Sequence, residues 1–207
     1  MIELFLSAFV TLFVVIDPPG CAPIYAGLTT GASPAQRRAM ALRACFVAGA
    51  ILVVFCLFGQ QLLGALHIEL NSFRIAGGIM LFMIAIDMVF EKRTQRREER
   101  AEKIIGTPEV EDVSIFPMAM PMLAGPGAIA SVMLLQSTAD GMGGTLVVLA
   151  ALGSVLLLTL LALIAASPLM RIFGARVEAV ITRLLGVLLA ALAAQYVIDG
   201  LRGAFNV

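Results

Sequence analysis

Six apolar stretches occupy almost the whole of this chain, and each approaches or exceeds the length, about 20 residues, that a helix needs to cross the hydrocarbon core of a bilayer. They run over residues 2–30, 44–66, 73–90, 114–137, 144–170 and 181–201, and the first and fourth carry interruptions at 17–20 and 124–127. No stretch remains from which a separate soluble domain can be built. The composition agrees, with 60% of the 207 residues hydrophobic, 14% charged and a mean hydropathy of +1.01, whereas a soluble domain carries about 25% charged residues. The expected fold class is therefore an all-α polytopic membrane protein of six transmembrane segments. The first segment, IELFLSAFVTLFVVI, has no basic n-region and no small-residue cleavage site, so it reads as part of the mature protein and not as a removed signal.

Loop charges set the expected orientation through Lys and Arg near the membrane. With the N-terminus outside, the inward loops hold Arg37, Arg38 and Arg43, then Lys92, Arg93, Arg96, Arg97, Arg100 and Lys103, then Arg171, Arg176 and Arg183, which is twelve of the fourteen basic residues. Only Arg74 and Arg202 fall outside. Both termini are accordingly expected outside. The polar stretch at 91–112 reads as a solvated cytoplasmic linker between two three-helix units, 1–90 and 113–207. A formal net charge of zero argues against a nucleic-acid surface. Cys21, Cys45 and Cys56 lie in or beside apolar runs without metal-type spacing and read as buried free thiols.

The two units resemble each other. Pro19-Gly20 corresponds to Pro126-Gly127, and RIAGGIMLFMIAIDMV from Arg74 matches RLLGVLLAALAAQYVI from Arg183, with Arg and Gly in register. Two copies of three segments must be inverted relative to one another, because an odd number of crossings flips the second copy. This is the inverted-repeat plan of many secondary transporters, in which matching interrupted helices mark a binding site near the midplane.

Six of the nine prolines fall in the two interrupted segments. Each removes a helix donor and clashes with the preceding turn, while Gly20, Gly125 and Gly127 permit the backbone angles that a break requires. Backbone freed in this way must face protein or a watery cavity, since lipid cannot satisfy it. The second half of each broken helix then starts inside the membrane, near Cys21 to Pro23 in the first segment and near Gly127 to Ala130 in the fourth. A helix start presents N–H groups and partial positive charge that suit a carboxylate or phosphate. The candidate substrate-binding residues are Asp17, Pro19, Gly20, Cys21, Ala22, Gly125, Pro126, Gly127 and Ala128. Packing kinks alone are the competing reading, and two matched breaks favour a site over it.

Asp17 has no symmetry-related acid, since Ala124 stands at the matching position. A carboxylate at membrane depth is costly and points to function; it can meet a substrate ammonium, carry a coupling H⁺, or bind Na⁺. Capping of the second half-helix is the equal alternative. Asp87 is either deep enough to line a path or interfacial, given Glu91 and Lys92 close behind. Gln136 and Gln195 are further polar lining candidates, and Ser131, Ser137 and Thr138 are assigned to the outer end of the fourth segment. Arg74 and Arg183 read as snorkelling anchors, His67 as interfacial, and the methionines of FPMAMPMLAGPG as apolar filler. No nucleophile triad, phosphate loop, metal cluster or redox motif is present, so neither an enzyme nor a cofactor is expected.

The stretches FVVIDPPGCAPIYAGLT, RIAGGIMLFMIAIDM, PMAMPMLAGPGAIASVMLL and RLLGVLLAALAAQYVIDGL together resemble the MarC/SnatA family of bacterial and archaeal integral membrane proteins, grouped with the LysE-type exporters. The resemblance covers essentially the whole chain. The family's first motif more often has Asn-Pro-hydrophobic-Gly where this chain has Asp17-Pro18-Pro19-Gly20, whereas Ala124-Gly125-Pro126-Gly127 matches closely. The resemblance implies six membrane helices in the plasma (inner) membrane of a bacterium or archaeon and, for the characterised branch, transport of small neutral amino acids such as glycine and alanine.

The leading functional expectation is thus a secondary transporter of a small zwitterion. The alternatives are a carrier or flippase of a lipid-linked phosphate, a drug efflux protein, and a membrane scaffold without transport. Expected partners are a small-molecule substrate and membrane lipid, with no nucleic acid; a homo-oligomer is compatible with the sequence.

Overall fold

The computed structural model describes residues 1–90 and 112–205, without the side chains of residues 167 and 169–178. Among the described residues the chain is helical with no strand, in the order α1 (Ile2–Ile16), α2 (Pro18–Leu28), α3 (Pro34–Ala65), α4 (Leu70–Val89), an irregularly wound segment Ser114–Leu123, α5 (Pro126–Ser137), α6 (Gly141–Ile164) and α7 (Ala166–Phe205). Most of the 91–112 linker falls outside the described residues. Among the described residues five spans are long and apolar enough to cross a membrane: Ile2–Leu28, Pro34–Ala65, Leu70–Val89, Gly141–Ile164 and Ala179–Phe205. The pair Ser114–Leu123 and Pro126–Ser137, bent by 52°, makes a sixth if counted as one crossing.

Several boundaries differ from those expected, each for a local reason. α3 starts at Pro34, ten residues before the expected 44, because Ser33 and Gln36 form a reciprocal capping box and Pro34 takes the first helical position. Its first turns carry Arg37, Arg38 and Arg43, so hydropathy alone misses them. α6 ends at Ile164, short of the expected 170. Pro168 lacks the N–H that a continuing helix would need, yet is tolerated in the first turn of α7. α7 therefore begins at Ala166, well before the expected 181.

The broken segments form the centre. More than half of the apolar window of Ile2–Leu28 is buried, against a third or less for α3, α4, α6 and α7. On α5, Gly127, Ala128 and every residue from Ala130 to Leu135 are buried. The flanking helices instead leave large apolar side chains exposed, among them Phe46, Phe58, Leu146, Leu157 and Val187, as a hydrocarbon surrounding requires.

α4 and α7 lie antiparallel in close contact, mediated by glycine. Gly78 sits against Ala193 and Val197, Gly186 against Ala85, Met88 and Val89, and Gly200 against Asn71, Arg74 and Ile75. Small residues allow such approach where hydrophobic burial gives no drive between helices in lipid. The helix ends fall into two groups. At one end, here the Arg37 end, Arg43 pairs with Asp112, and the α2–α3 turn faces the α6–α7 turn. At the other, the Arg74 end, Arg74 Nη2 donates to Ser137 Oγ at 3.5 Å, and Met1 lies beside Gly143.

Two outcomes follow from this packing. A Cβ on Gly78 would stand 2.8 Å from the Ala193 carbonyl oxygen, so Gly78→Ala should destabilise the protein by about 1–3 kcal/mol. Gly153→Ala, where nothing lies within 4 Å, should be neutral or slightly stabilising; unfolding in detergent reads both. At Asp112, partial burial raises the carboxyl, but the Ser114 amide and the Arg43 guanidinium outweigh it and hold the group below the usual carboxylate range. The Asp112 contribution is then present above the unfolded value of about 3.9 and is lost as pH falls through the lower folded value. Asp112→Asn should flatten the loss of thermal stability below about pH 4.

Candidate functional site

The first break is one residue wide. Asp17 adopts the left-handed region, φ 59° and ψ 65°, closing α1 and capping α2 at once. Its amide donates to Phe13 O at 2.9 Å and its carbonyl accepts from Cys21 N–H at 3.0 Å, so the helical ladder resumes directly. Asp tolerates this conformation where a branched residue would not. Pro18 and Pro19 fill the first two helical positions, where a missing N–H does no harm. The third, Gly20, donates its N–H to Asp17 Oδ1 at 3.1 Å. Ile16 O, which a continuous helix would pair with that amide, accepts instead from Cys21 Sγ at 3.4 Å. Asp17 is 1% exposed, and a Cβ on Gly20 would stand 2.2 Å from its Oδ2, so only glycine fits under the carboxylate.

The second break is broader. Phe116 (φ −126°, ψ 126°) and Met120 (φ −130°, ψ 125°) are extended, as residues preceding proline prefer. Wide turns close around them, with Met118 N–H donating to Val113 O at 3.3 Å and Ala124 N–H to Ala119 O at 2.9 Å. Gly125 then caps α5 in an extended conformation and Pro126 takes its first position, with no side chain bound to the first turn. The half-helices thus start at Pro18 and Pro126, earlier than the expected 21–23 and 127–130, because proline is favoured at the first helical position.

The fold brings the two breaks together. The Gly127 Cβ position lies 3.5 Å from Val15 Cγ1, two residues before Asp17, and faces Leu81 and Ile84 of α4. Asp17, Gly20, Cys21 and Ala22 at the first break and Gly125, Gly127 and Ala128 at the second are buried; Pro19 is half-buried and Pro126 exposed. Asp87 is half-buried and follows Ile84 by about 4.5 Å along α4, which sets it close to the level of the second break.

The remaining polar candidates hold helices together. Gln136 Nε2 donates to Thr145 Oγ1 at 2.8 Å, and Gln136 Oε1 accepts from Cys56 Sγ at 3.6 Å, which ties α5 to α6 and α3. Gln195 is exposed and donates to Asp199 Oδ1 at 2.8 Å on its own helix. Arg74, expected as an anchor at the membrane surface, is half-buried and reaches α5.

Ser131 emerges as a residue of the junction, where the sequence reading had set it at the outer end of the segment. It follows Gly127 by one turn on the same face, is 0% exposed, and its Oγ has no hydrogen-bond partner. Thr159, also in a helix, makes the usual bond to the carbonyl four residues earlier, Val155 O, at 2.8 Å; Ser131 does not. A helical side chain leans toward the helix start, so the hydroxyl overlies the uncapped first turn of α5. The spacing of four from Gly127 was the available signal.

Apolar spans around a core of broken helices define an integral membrane protein of the polytopic α-helical class. The chain belongs to the MarC family of integral membrane proteins, whose sequence profile matches residues 2–205. It is 33% identical over 203 residues to UPF0056 membrane protein MJ1677 of Methanocaldococcus jannaschii, covering 98% of each chain. It is 33% identical over 207 residues to UPF0056 membrane protein YvbG of Bacillus subtilis, covering 100% of this chain and 98% of the relative. It is also 33% identical over 199 residues to UPF0056 inner membrane protein YhgN of Escherichia coli, covering 95% of each. No solved structure matches the chain.

The Asp17 geometry separates two substitutions. Asp17→Asn keeps both the left-handed tolerance and the cap and should change stability by less than about 1 kcal/mol. Asp17→Ala loses both and should destabilise by about 2–3 kcal/mol, measured by unfolding of the purified protein in detergent.

Proposed function

We propose that this protein is a secondary transporter of a small solute, most plainly a small neutral amino acid, and not an enzyme. The observation that carries the reading is the approach of the two breaks through Val15 and Gly127, with the buried Asp17 carboxylate two residues beyond Val15 and an uncapped helix start and an unpartnered hydroxyl on the Gly127 side. The two starts differ in charge. At α2 the prolines offer no N–H and the Gly20 amide is bound to Asp17, so that start already holds an anion. At α5 the Gly127 and Ala128 amides head a buried helix with no side-chain cap, which suits the carboxylate of a zwitterion. Its ammonium then meets Asp17, which also provides a route for H⁺ or Na⁺ coupling.

In this reading six crossings form two inverted repeats that rock about the junction. Support comes from the α4–α7 contacts, where Gly78 meets Val197 and Gly186 meets Met88, nearly the same pairing with the helices exchanged. Twelve of the fourteen basic residues favour an inward Arg37 end and outward termini. A lipid-linked phosphate needs a cation at the breaks, yet Arg74 is engaged with Ser137 and Arg37 with carbonyls at the end of α2. Drug efflux needs a roomy aromatic cavity, and the chain is 7% aromatic without Trp.

The test is thermal stability in detergent against glycine, alanine, serine, a bulky drug, a polyprenyl phosphate, and Na⁺ at fixed ionic strength. A ligand of the native state raises stability by RT ln(1 + [L]/Kd). Glycine or alanine should give a saturable rise, about 2.7 kcal/mol at 100 Kd, abolished by Gly127→Val. A rise with the polyprenyl phosphate alone would overturn the amino-acid reading.

A further inference from the structure

A second region lies on the path that such a solute would take. At the Arg37 end a cavity of about 260 Å³ opens between α2, the start of α3 and the α6–α7 turn, lined by Tyr25, Thr29, Arg37, Arg38, Leu163 and Ile164 among others. Its volume falls below the roughly 300–1,000 Å³ that drug-sized ligands occupy. Asp17, Cys21, Tyr25 and Thr29 recur every four residues, so they stack along one face of α2 from the break to the cavity. The distance from Asp17 to Tyr25 along the axis is about 12 Å. Between them lies Cys21, 0% exposed.

Tyr25 is 1% exposed and donates its hydroxyl to the Arg37 carbonyl oxygen. The Arg37 guanidinium reaches back to α2, with Nε donating to Thr29 O at 2.9 Å and Ala32 O at 3.1 Å, and Nη2 donating to Thr30 O at 3.0 Å. Thr29 Oγ1 in turn donates to Tyr25 O at 2.7 Å. These bonds clasp the end of α2 to the first turn of α3 and hold the Tyr25 ring across the face that leads to Asp17. Arg37 thus has Nε and Nη2 bound to backbone carbonyls. Arg38 lines the same cavity with its side chain exposed, so it supplies the accessible positive charge there.

We propose that this cavity is the vestibule of the transport path at the Arg37 end, in which Arg38 receives the carboxylate of the solute and Tyr25 is the barrier between it and Asp17. The inference rests on the transporter reading for its solute, while barrier and charge are tested without transport. Opening requires the Tyr25–Arg37 bond to part, after which Cys21 becomes reachable from the cavity.

The experiment uses the full chain in inside-out membrane vesicles, with Cys45→Ala and Cys56→Ala leaving Cys21 as the reporter thiol. Two membrane-impermeant probes are compared, the anionic sulfonatoethyl methanethiosulfonate and the cationic trimethylammonioethyl methanethiosulfonate. Tyr25→Phe, which keeps the ring and removes the hydroxyl bond, should raise the rate of Cys21 modification about fivefold, as loss of one ordinary hydrogen bond implies. In that background Arg38→Gln should lower the anionic-to-cationic rate ratio about threefold. Modification at the parent rate in both Tyr25→Phe and Tyr25→Ala would overturn the barrier, and an unchanged ratio in Arg38→Gln would overturn the carboxylate station. Faster modification with the expected ratio, in a protein that neither binds nor moves glycine or alanine, would uphold the vestibule while removing the amino-acid reading.

Discussion

A helix can break inside a bilayer only if the backbone groups it releases find partners in the protein, because hydrocarbon offers none. In this chain that requirement is met at Asp17. Its left-handed backbone lets α1 stop and α2 start with Asp17 alone between them, its carboxylate takes the Gly20 amide, and Cys21 supplies the thiol that Ile16 O accepts. Two prolines fill the positions where a missing N–H leaves no donor stranded. The break is therefore hydrogen-bonded and buried, and α2 can run on to carry Tyr25 and Thr29 toward the Arg37 end.

The second break solves the same problem differently, and the difference gives the junction its polarity. Pro117 and Pro121 each push the preceding residue into extended backbone, the turns widen, and α5 starts at a 52° bend with no side-chain cap. One start holds a carboxylate and the other offers amides. Val15 and Gly127 press the two together, with Leu81 and Ile84 closing the side. An arrangement built from identical repeats would have had two like poles; the absence of an acid at Ala124 makes them unlike.

Around this centre the α4–α7 pair acts as a frame. Glycines at 78, 186 and 200 set α4, over most of its length, closely against the second half of α7, while Gln136 and Arg74 fasten α5 to its neighbours by side-chain hydrogen bonds. At the Arg37 end the ties among the described residues include the ion pair at Asp112 and the Tyr25–Arg37 clasp.

Much was legible in the order of residues because membrane-spanning helices obey local rules. Apolar run length gave the spans, proline and glycine marked both breaks, and the Arg and Lys distribution singled out one set of loops. The same locality explains the misplaced boundaries: hydropathy is blind to the polar first turns of α3, and proline position, not apolarity, ends α6. Asp17 was recognisable as an oddity, but whether its carboxylate faced a cavity or turned back onto Gly20 depended on its backbone angles. Ser131 carried only its spacing of four from Gly127 as a local signal, and the tie of Tyr25 carried none, since burial without a partner and a hydroxyl bound twelve residues away are properties of packing. By itself the sequence determined that the chain crosses a membrane on apolar helices and where two of them must break, because those follow from what each short stretch can do in hydrocarbon. Only the tertiary structure decided that the breaks meet, that one is capped by an acid and the other left open, and that Tyr25 stands between them and the Arg37 end, because distances between segments depend on how whole helices pack.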